Sequence, residues 1–521
     1  MKLSIITPTH DTTWIDQTWA SIKQQDHMDF EWVVSVNDKD GSRERIMERI
    51  STVARIVDGD PRVRIIPDYG QFLGVGTRKN FAFHLGTGEA LIELDHDDLL
   101  TPGALTEIAA AFRDHEIGFV YSDFADFDGT VPPTQQGNVT YRHPSVRPGW
   151  IQSGFQFYIE QIEGVRPGVY ECVRAPEATA QSVSLIYSAP NHVRAWRRSV
   201  YEALDGHNAL FKLCDDHELV LRTFLKTKMK RITKPLYLYR VSGQNTWAQS
   251  LDEIRKTTYE LQDKHLEQLV LRECELLELP AFDLGGAIDG RFGWKTVDTE
   301  EGARLEGTKV DVEADLTQRW PWEDNSVGAF RAFDFLEHLP DKLHTMREIH
   351  RCLRPGGWLL SMTPSTDGRG AFQDPTHVSF FNENSFWYWT RFQARYIHNT
   401  QHRFAEIQLT SLFQSEWHRQ NSIPYVKATL VALKEVAQKP VMVEPTRESM
   451  PAVPATQLID KYGRCACPEH PKPHALHAPA DAPPPERKPL VDAPAAIDHP
   501  AFADVKEKSD SAVKGSKKKR R

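Results

Sequence analysis

Apolar positions along the first hundred residues fall into short runs separated by amphipathic stretches. Residues 3–7 form one run, bounded by Pro8; Phe30–Val36 form a second and residues 63–66 a third. Between them, residues 14–25 place Ile15, Trp19 and Ile22 on one helical face, and residues 43–57 form another helical stretch. This β-α-β-α-β order predicts a parallel sheet with right-handed crossovers. Ala90, Leu91, Ile92 and Leu94 read as a central strand buried on both faces, and a helix is expected over residues 99–111.

That central strand ends in Asp95, Asp97 and Asp98. The C-terminal edge of an open α/β sheet is where ligands bind. Three adjacent carboxylates repel one another unless a cation or a donor-rich ligand compensates. A hard divalent cation, Mn2+ or Mg2+, holding a diphosphate fits, because such ions take oxygen ligands and are shared with phosphates. A capped turn with solvated acids is the plainer alternative.

Further along, Gly74 to Asn80 opens a helix with glycines that let backbone approach an anion. Residues 129–180 are rich in Pro, Gly and Gln and read as an acceptor loop. Residues 190–198 are basic and aromatic, which suits either a site or a solvated basic turn with a packed Trp. Asp215 and Asp216 sit in the first turn of an apolar-faced helix, where acids favour the helix dipole.

Residues 3–10, 30–38, 74–80 and 88–98 resemble, in order and spacing, the nucleotide-sugar half of family 2 glycosyltransferases with the GT-A fold. The resemblance implies that Thr7, Thr9 and Asp38 hold the nucleoside, that Asp95 faces the ribose or metal, and that Asp97 ligates Mn2+ or Mg2+. It puts Lys79 where the family usually has Arg, as a donor contact. It makes Asp216 the catalytic base, since an inverting transfer needs a carboxylate to take the acceptor hydroxyl's proton. Residues 235–246 resemble the family's closing Tyr-Arg strand and loop, with Ser242 where many relatives have a metal-facing His.

A helical stretch over residues 251–278 precedes a second series: Asp283-Leu284-Gly285-Gly286, a strand ending in Asp298, Glu337-His338-Leu339, and Arg354-Pro355-Gly356-Gly357 before a buried strand. This resembles class I S-adenosylmethionine-dependent methyltransferases, down to a terminal antiparallel hairpin near residues 406–433. The resemblance implies an adenosyl site framed by Asp283, Gly285 and Asp298. Those two acids lie only fifteen residues apart, so the first crossover helix is expected to be missing or rebuilt. An active methyltransferase and a degenerate scaffold both remain open. His377 is either a base or a loop-packing residue.

Composition adds limits. The chain has 521 residues, 26% of them charged, and a formal net charge of −9, which excludes a general nucleic-acid binder. No apolar run reaches membrane-spanning length, and the N-terminal apolar stretch is too short for a signal peptide. Six cysteines, four of them isolated, suggest a reducing, cytoplasmic setting. Residues 437–521, rich in Pro and Ala and ending in a basic run, read as disordered; Cys465, Cys467 and nearby histidines carry zinc-type ligands at too tight a spacing.

The expectation is therefore an α/β chain: a GT-A domain over residues 1–255, a connecting helix over 256–278, a Rossmann-like methyltransferase-type domain over 279–436, and the tail. Its expected function is metal-dependent, inverting transfer of a sugar from a nucleotide sugar, a UDP-sugar first, to a glycan, protein or lipid acceptor, with S-adenosylmethionine as a second cofactor. The alternatives are a non-catalytic glycan- or nucleotide-binding scaffold, or methyl transfer as the main activity.

Overall fold

The computed structural model describes residues 1–70, 74–127, 156–162, 170–185, 190–240, 250–287, 290–302, 307, 309–391, 396–397 and 401–434. Most of the expected acceptor loop, Ser242 and the cysteine- and histidine-bearing tail lie outside the described residues.

The first sheet contains β1 (Leu3–Thr9), β2 (Phe30–Val36), β3 (Val63–Pro67), β4 (Ala90–Glu93), β5 (Leu99–Leu100), β6 (Ile117–Phe127), β7 (Gln156–Glu160), β8 (Tyr170–Arg174), β9 (Arg194–Arg197) and β10 (Lys228–Arg240). Its order is β3-β2-β1-β4-β9-β6-β10-β5, with the β7–β8 hairpin attached to β6. Strands β1 to β4 run parallel, as the alternating pattern predicts, while β9 is antiparallel to both neighbours. Pro8 does not stop β1. Thr9 carbonyl bonds toward β2, so Pro8 faces the β4 side, beyond the last β1–β4 pair at Ile6 and Glu93, where no N–H is needed. Trp19 of the helix Ile15–Lys23 stacks on Trp32 of β2, with ring centroids 5.3 Å apart.

The expected helix over residues 99–111 is shorter than the pattern suggests. Leu99 and Leu100 pair with β10, and the helix starts only at Ala104. Pro102 accounts for this, because it disfavours helical backbone at Thr101.

The second sheet contains β11 (Ala281–Leu284), β12 (Lys295–Asp298), β13 (Val312–Glu313), β14 (Val327–Phe333), β15 (Leu353–Pro364), β16 (Arg403–Leu412) and β17 (Tyr425–Leu433). They lie in the order β13-β12-β11-β14-β15-β17-β16, parallel up to β15, with β16 and β17 forming the terminal antiparallel hairpin. The connection from β11 to β12 carries no helix among the described residues.

Side chains of the second sheet alternate between two cores. Phe282, Phe330, Leu359 and Leu430 pack with the helix Lys342–Cys352 on one face. Ala281, Ala329, Trp358 and Val431 face the other way, and join one continuous core with Leu266, Leu269 and Val270 and with the first sheet. Those leucines belong to the helix Leu251–Leu276. This helix is thus more than a connector: it covers a sheet face and meets the first sheet's layer, where the Glu273 carboxylate accepts the Ala180 N–H at 2.7 Å and pairs with Arg354. No helix among the described residues is long and apolar enough to cross a membrane.

Candidate functional site

Strand order in the first sheet reverses between β1 and β4, and a crevice at such a point is where open sheets bind ligands. The turn after β4 is fixed there from two sides. Tyr237 of β10 donates its hydroxyl to Asp98 Oδ2 at 2.8 Å and accepts the Asp95 N–H at 3.2 Å. The Arg240 N–H donates to Asp98 Oδ1 at 2.7 Å, and Arg240 Nε donates to the Asp97 carbonyl at 2.6 Å. The Arg240 guanidinium lies between the rings of Trp14 and Phe127, 4.2 and 4.4 Å from their centroids.

Ligating atoms of Asp95, Asp98 and His192 lie within 4.8 Å of one another. His192 is buried, stacks on Tyr237 at 4.5 Å, and leaves Nδ1 without a hydrogen-bond partner among the described residues. Burial lowers its pKa well below the ordinary value, which keeps the imidazole neutral and able to ligate. Burial, and after it the neighbouring carboxylates, raise Asp98 well above the carboxylate range; burial also raises Asp95, against the pull of Lys79. A cation would relieve these acids and take up the orphaned imidazole nitrogen, so the donor set fits a hard or borderline divalent ion. Asp97, the ligand implied by the resemblance, is on the same turn but outside this cluster.

Behind the turn lies a buried ion network. Glu93, 0% exposed, pairs with Lys79 Nζ at 2.5 Å and Arg194 Nε at 2.9 Å. Arg194, 2% exposed, also reaches Asp216 Oδ2 at 2.8 Å. Burial raises Glu93, but Arg194 and then Lys79 bring it down to about 2. Burial pulls Lys79 down, yet Glu93, ahead of Asp215, outweighs it and raises the ammonium. Lys79 is therefore committed to Glu93. Two cations here face the four carboxylates of Glu93, Asp95, Asp215 and Asp216.

The acid pair starts the helix Asp215–Lys226, after Cys214 in the left-handed region at φ +62°. Backbone strain of this kind concentrates at functional sites. The two acids differ. Asp215 is buried, its Oδ2 has no hydrogen-bond partner among the described residues, and burial pushes its pKa up to about 7. The Asp216 side chain is 18% exposed and is oriented by Arg194.

Other sequence candidates turn out to be fixed by their neighbours. Thr7 Oγ1 accepts the Trp32 indole N–H at 2.9 Å. Thr9 Oγ1 accepts the Asp11 N–H at 3.1 Å. The Asp38 carboxylate is bound by Arg45 and Arg49 and by two backbone N–H groups, and those arginines hold its pKa far below the carboxylate range. In the Gly74–Asn80 motif, the Asn80 amide donates to the carbonyls of Asp205 and His207, both at 2.7 Å. A Cβ at Gly76 would lie 2.5 Å from the Asn208 carbonyl. This motif packs a helix against the segment leading to Asp215.

Glu93, Arg194 and His192 were not singled out from sequence. Glu93 sits in an otherwise apolar strand, which is the one signal that marks it. Arg194 and His192 lie in the basic-aromatic stretch, which proves to be a central strand and its approach rather than a surface turn.

At the edge of the second sheet, both Asp283 carboxylate oxygens accept from Arg331, at 2.8 and 3.0 Å. Gly285 has φ +75°, and a Cβ there would lie 2.6 Å from the Phe335 ring. Asp298 accepts the backbone N–H groups of Thr299 and Ala287, at 2.7 and 3.3 Å.

Comparison with curated proteins returns no match. Among solved structures, S. aureus TarS 1–349 in complex with UDP-GlcNAc is 17% identical, with a TM-score of 0.35 over 53% of this chain and 72% of that one. The mannosyltransferase PcManGT from Pyrobaculum calidifontis, in complex with GDP-Man and Mn2+, is 15% identical, with a TM-score of 0.31 over 53% and 64%. Family models match two separate stretches, "Glycosyl transferase family 2" over residues 4–172 and "Methyltransferase domain" over residues 296–361. Residues 4–172 thus match family 2 glycosyltransferases within a GT-A-like first domain, and a methyltransferase-like domain follows.

Proposed function

We propose that this protein is a metal-dependent, inverting glycosyltransferase that moves a sugar from a nucleotide sugar to an acceptor hydroxyl. The observation that carries this reading is the pairing, at one sheet edge, of the Asp95, Asp98 and His192 cluster with the Arg194-oriented Asp216. Asp95, Asp98 and His192 would hold Mn2+ or Mg2+, with Asp97 on the same turn; the bound cation supplies positive charge to a departing diphosphate. His192 fills the role that the resemblance gives to a histidine at position 242. Asp216 takes the proton of the acceptor hydroxyl as it attacks in line. Asp216 is favoured over Asp215 because it reaches solvent while Asp215 is buried. Thr7 and Thr9 border the nucleoside, and Asp38 acts at one remove by fixing Arg45 and Arg49. Lys79 holds Glu93, and through it the network behind the turn.

We read residues 1–255 as the transferase part, 256–278 as the joining helix and 279–436 as the methyltransferase-like part. The four described cysteines are free thiols, in keeping with a cytoplasmic setting. The Arg331 clamp on Asp283, the Phe335 ring against Gly285 and a β11–β12 link without a helix among the described residues do not suit S-adenosylmethionine. The second part is read as a scaffold, a role in which Asp283 and Asp298 are structural.

Thermal shift of the full chain against a panel of nucleotide sugars, with and without Mn2+, tests the first reading. A ligand that binds only the native state raises the melting temperature. Metal-dependent stabilisation by one donor, followed by release of its nucleoside diphosphate with an acceptor present, supports the transferase. Silence from every donor in the presence of metal moves the reading to a binding scaffold.

A further inference from the structure

We propose that Glu337, His338 and His377 form a second divalent-metal site, of the Zn2+, Fe2+ or Mn2+ class, at the C-terminal edge of the second sheet. The site stands independently of the glycosyltransferase reading. Glu337 and His338 lie in the 3-10 turn Leu336–His338 that follows β14, and His377 comes from the segment after β15. Backbone bonds lock the two segments together: the Val378 and Ser379 N–H groups donate to the Glu337 carbonyl at 2.9 and 2.8 Å. One ligating atom of each residue lies within 4.8 Å of the other two.

The hydrogen bonds around the three side chains leave acceptors facing one another. Glu337 is 2% exposed; its Oε2 accepts the Thr363 hydroxyl at 2.7 Å, and its Oε1 has no partner among the described residues. His377 Nδ1 lies 3.1 Å from the Ala371 carbonyl, and His338 Nδ1 lies 3.2 Å from the Thr376 carbonyl. A carbonyl can only accept, so each Nδ1 carries the hydrogen and each Nε2 presents a lone pair. Outer carbonyl contacts of this kind set the tautomer of metal-ligating histidines. The rings sit edge to face with centroids 5.0 Å apart. With Glu337 ionised and both rings neutral, two imidazole lone pairs and a buried carboxylate oxygen are all acceptors, and a water molecule has only two hydrogens for the three. A cation satisfies all three.

Two nitrogens and one oxygen select transition metals over Ca2+ or Mg2+. Three protein ligands leave at least one coordination position for water or a substrate oxygen, the arrangement of reactive sites rather than closed structural ones.

The test uses the full chain, stripped with chelator and titrated with Co2+, whose visible absorption reports nitrogen and carboxylate ligation. The parent is expected to bind Co2+ with a visible band that is lost in His377→Ala. Glu337→Gln, which preserves the Thr363 contact and the side-chain shape, is expected to weaken that binding about tenfold or more. Asp98→Asn, in the other cluster, is expected to retain the band. Zn2+ content after desalting should fall by one equivalent in His377→Ala and below the parent's in Glu337→Gln. A parent without the band, or equal Co2+ affinity and Zn2+ content in the parent and Glu337→Gln, would overturn the proposal, and Glu337→Gln decides the matter if His377→Ala does not fold.

Discussion

The C-terminal edges of the two sheets make an instructive pair. Each ends a buried parallel strand in an acid at the point where strand order reverses. At the first edge, Asp95 and Asp98 stand among too few cations, and burial raises both. At the second, Asp283 is matched by a single arginine, and Arg331 takes both of its oxygens. The same acidic strand end is therefore poised for a ligand in one sheet and closed upon itself in the other. The difference lies in the neighbouring strand. β9 brings Arg194 to Glu93 and Asp216 and leaves Asp95 and Asp98 without an ion pair among the described residues, whereas β14 aims Arg331 directly at Asp283.

The comparison can be broken most severely at Asp216. Asp216→Asn is expected to lower sugar transfer by about two to four orders of magnitude, the usual contribution of a positioned base. Its melting temperature should stay close to the parent's, since an amide still accepts from Arg194. Full activity in this variant would remove the base assignment.

Next in size is the network that keeps the first edge charged. Glu93→Gln leaves Lys79 and Arg194 buried without their shared carboxylate, and breaking a buried pair from one side costs about 3–5 kcal/mol. Urea unfolding measures this directly. Asp283→Asn should cost less, because Arg331 retains Glu267 nearby, 3.7 Å away.

The third effect is a pH dependence. Asp215 is pushed up to about 7 in the folded chain, from an ordinary 3.8. The folded state thus keeps this proton where the unfolded state has lost it. The associated stability is fully present below about pH 4 and declines as pH rises through 7. Asp215→Asn should therefore gain stability relative to the parent between pH 5 and 8. An unchanged difference across that range would show that Asp215 titrates normally.

The smallest expected effect sharpens the contrast from the other side. S-adenosylhomocysteine should leave the melting temperature unmoved, because Arg331 and Phe335 occupy the surroundings of Asp283 and Gly285. A clear upward shift would reopen methyl transfer at the second edge.

Much of this was legible in the chain. The parallel core of the first sheet follows from alternating apolar runs and amphipathic helices, and the terminal hairpin of the second follows from its late strands. The ten-residue link between β11 and β12 is visible as the spacing from Asp283 to Asp298. The site was read less evenly. The acidic turn and Asp216 are local signals, each carried by adjacent residues. His192, Arg194 and Glu93 meet only when β4 and β9 pair antiparallel, with Glu93 opposite Arg194. The Gly74–Asn80 motif also carries a packing role that local sequence does not reveal, since Asn80 bonds carbonyls more than a hundred residues away.

The sequence by itself determined where strands and helices form, because periodicity and turn chemistry act within a few residues of one another. It also placed carboxylates at strand ends and helix starts. Only the tertiary structure decided which of those carboxylates are neutralised. That outcome depends on which cation each strand pairing carries into the same buried space, and a buried charge interacts with whatever lies within a few ångströms, regardless of its distance along the chain.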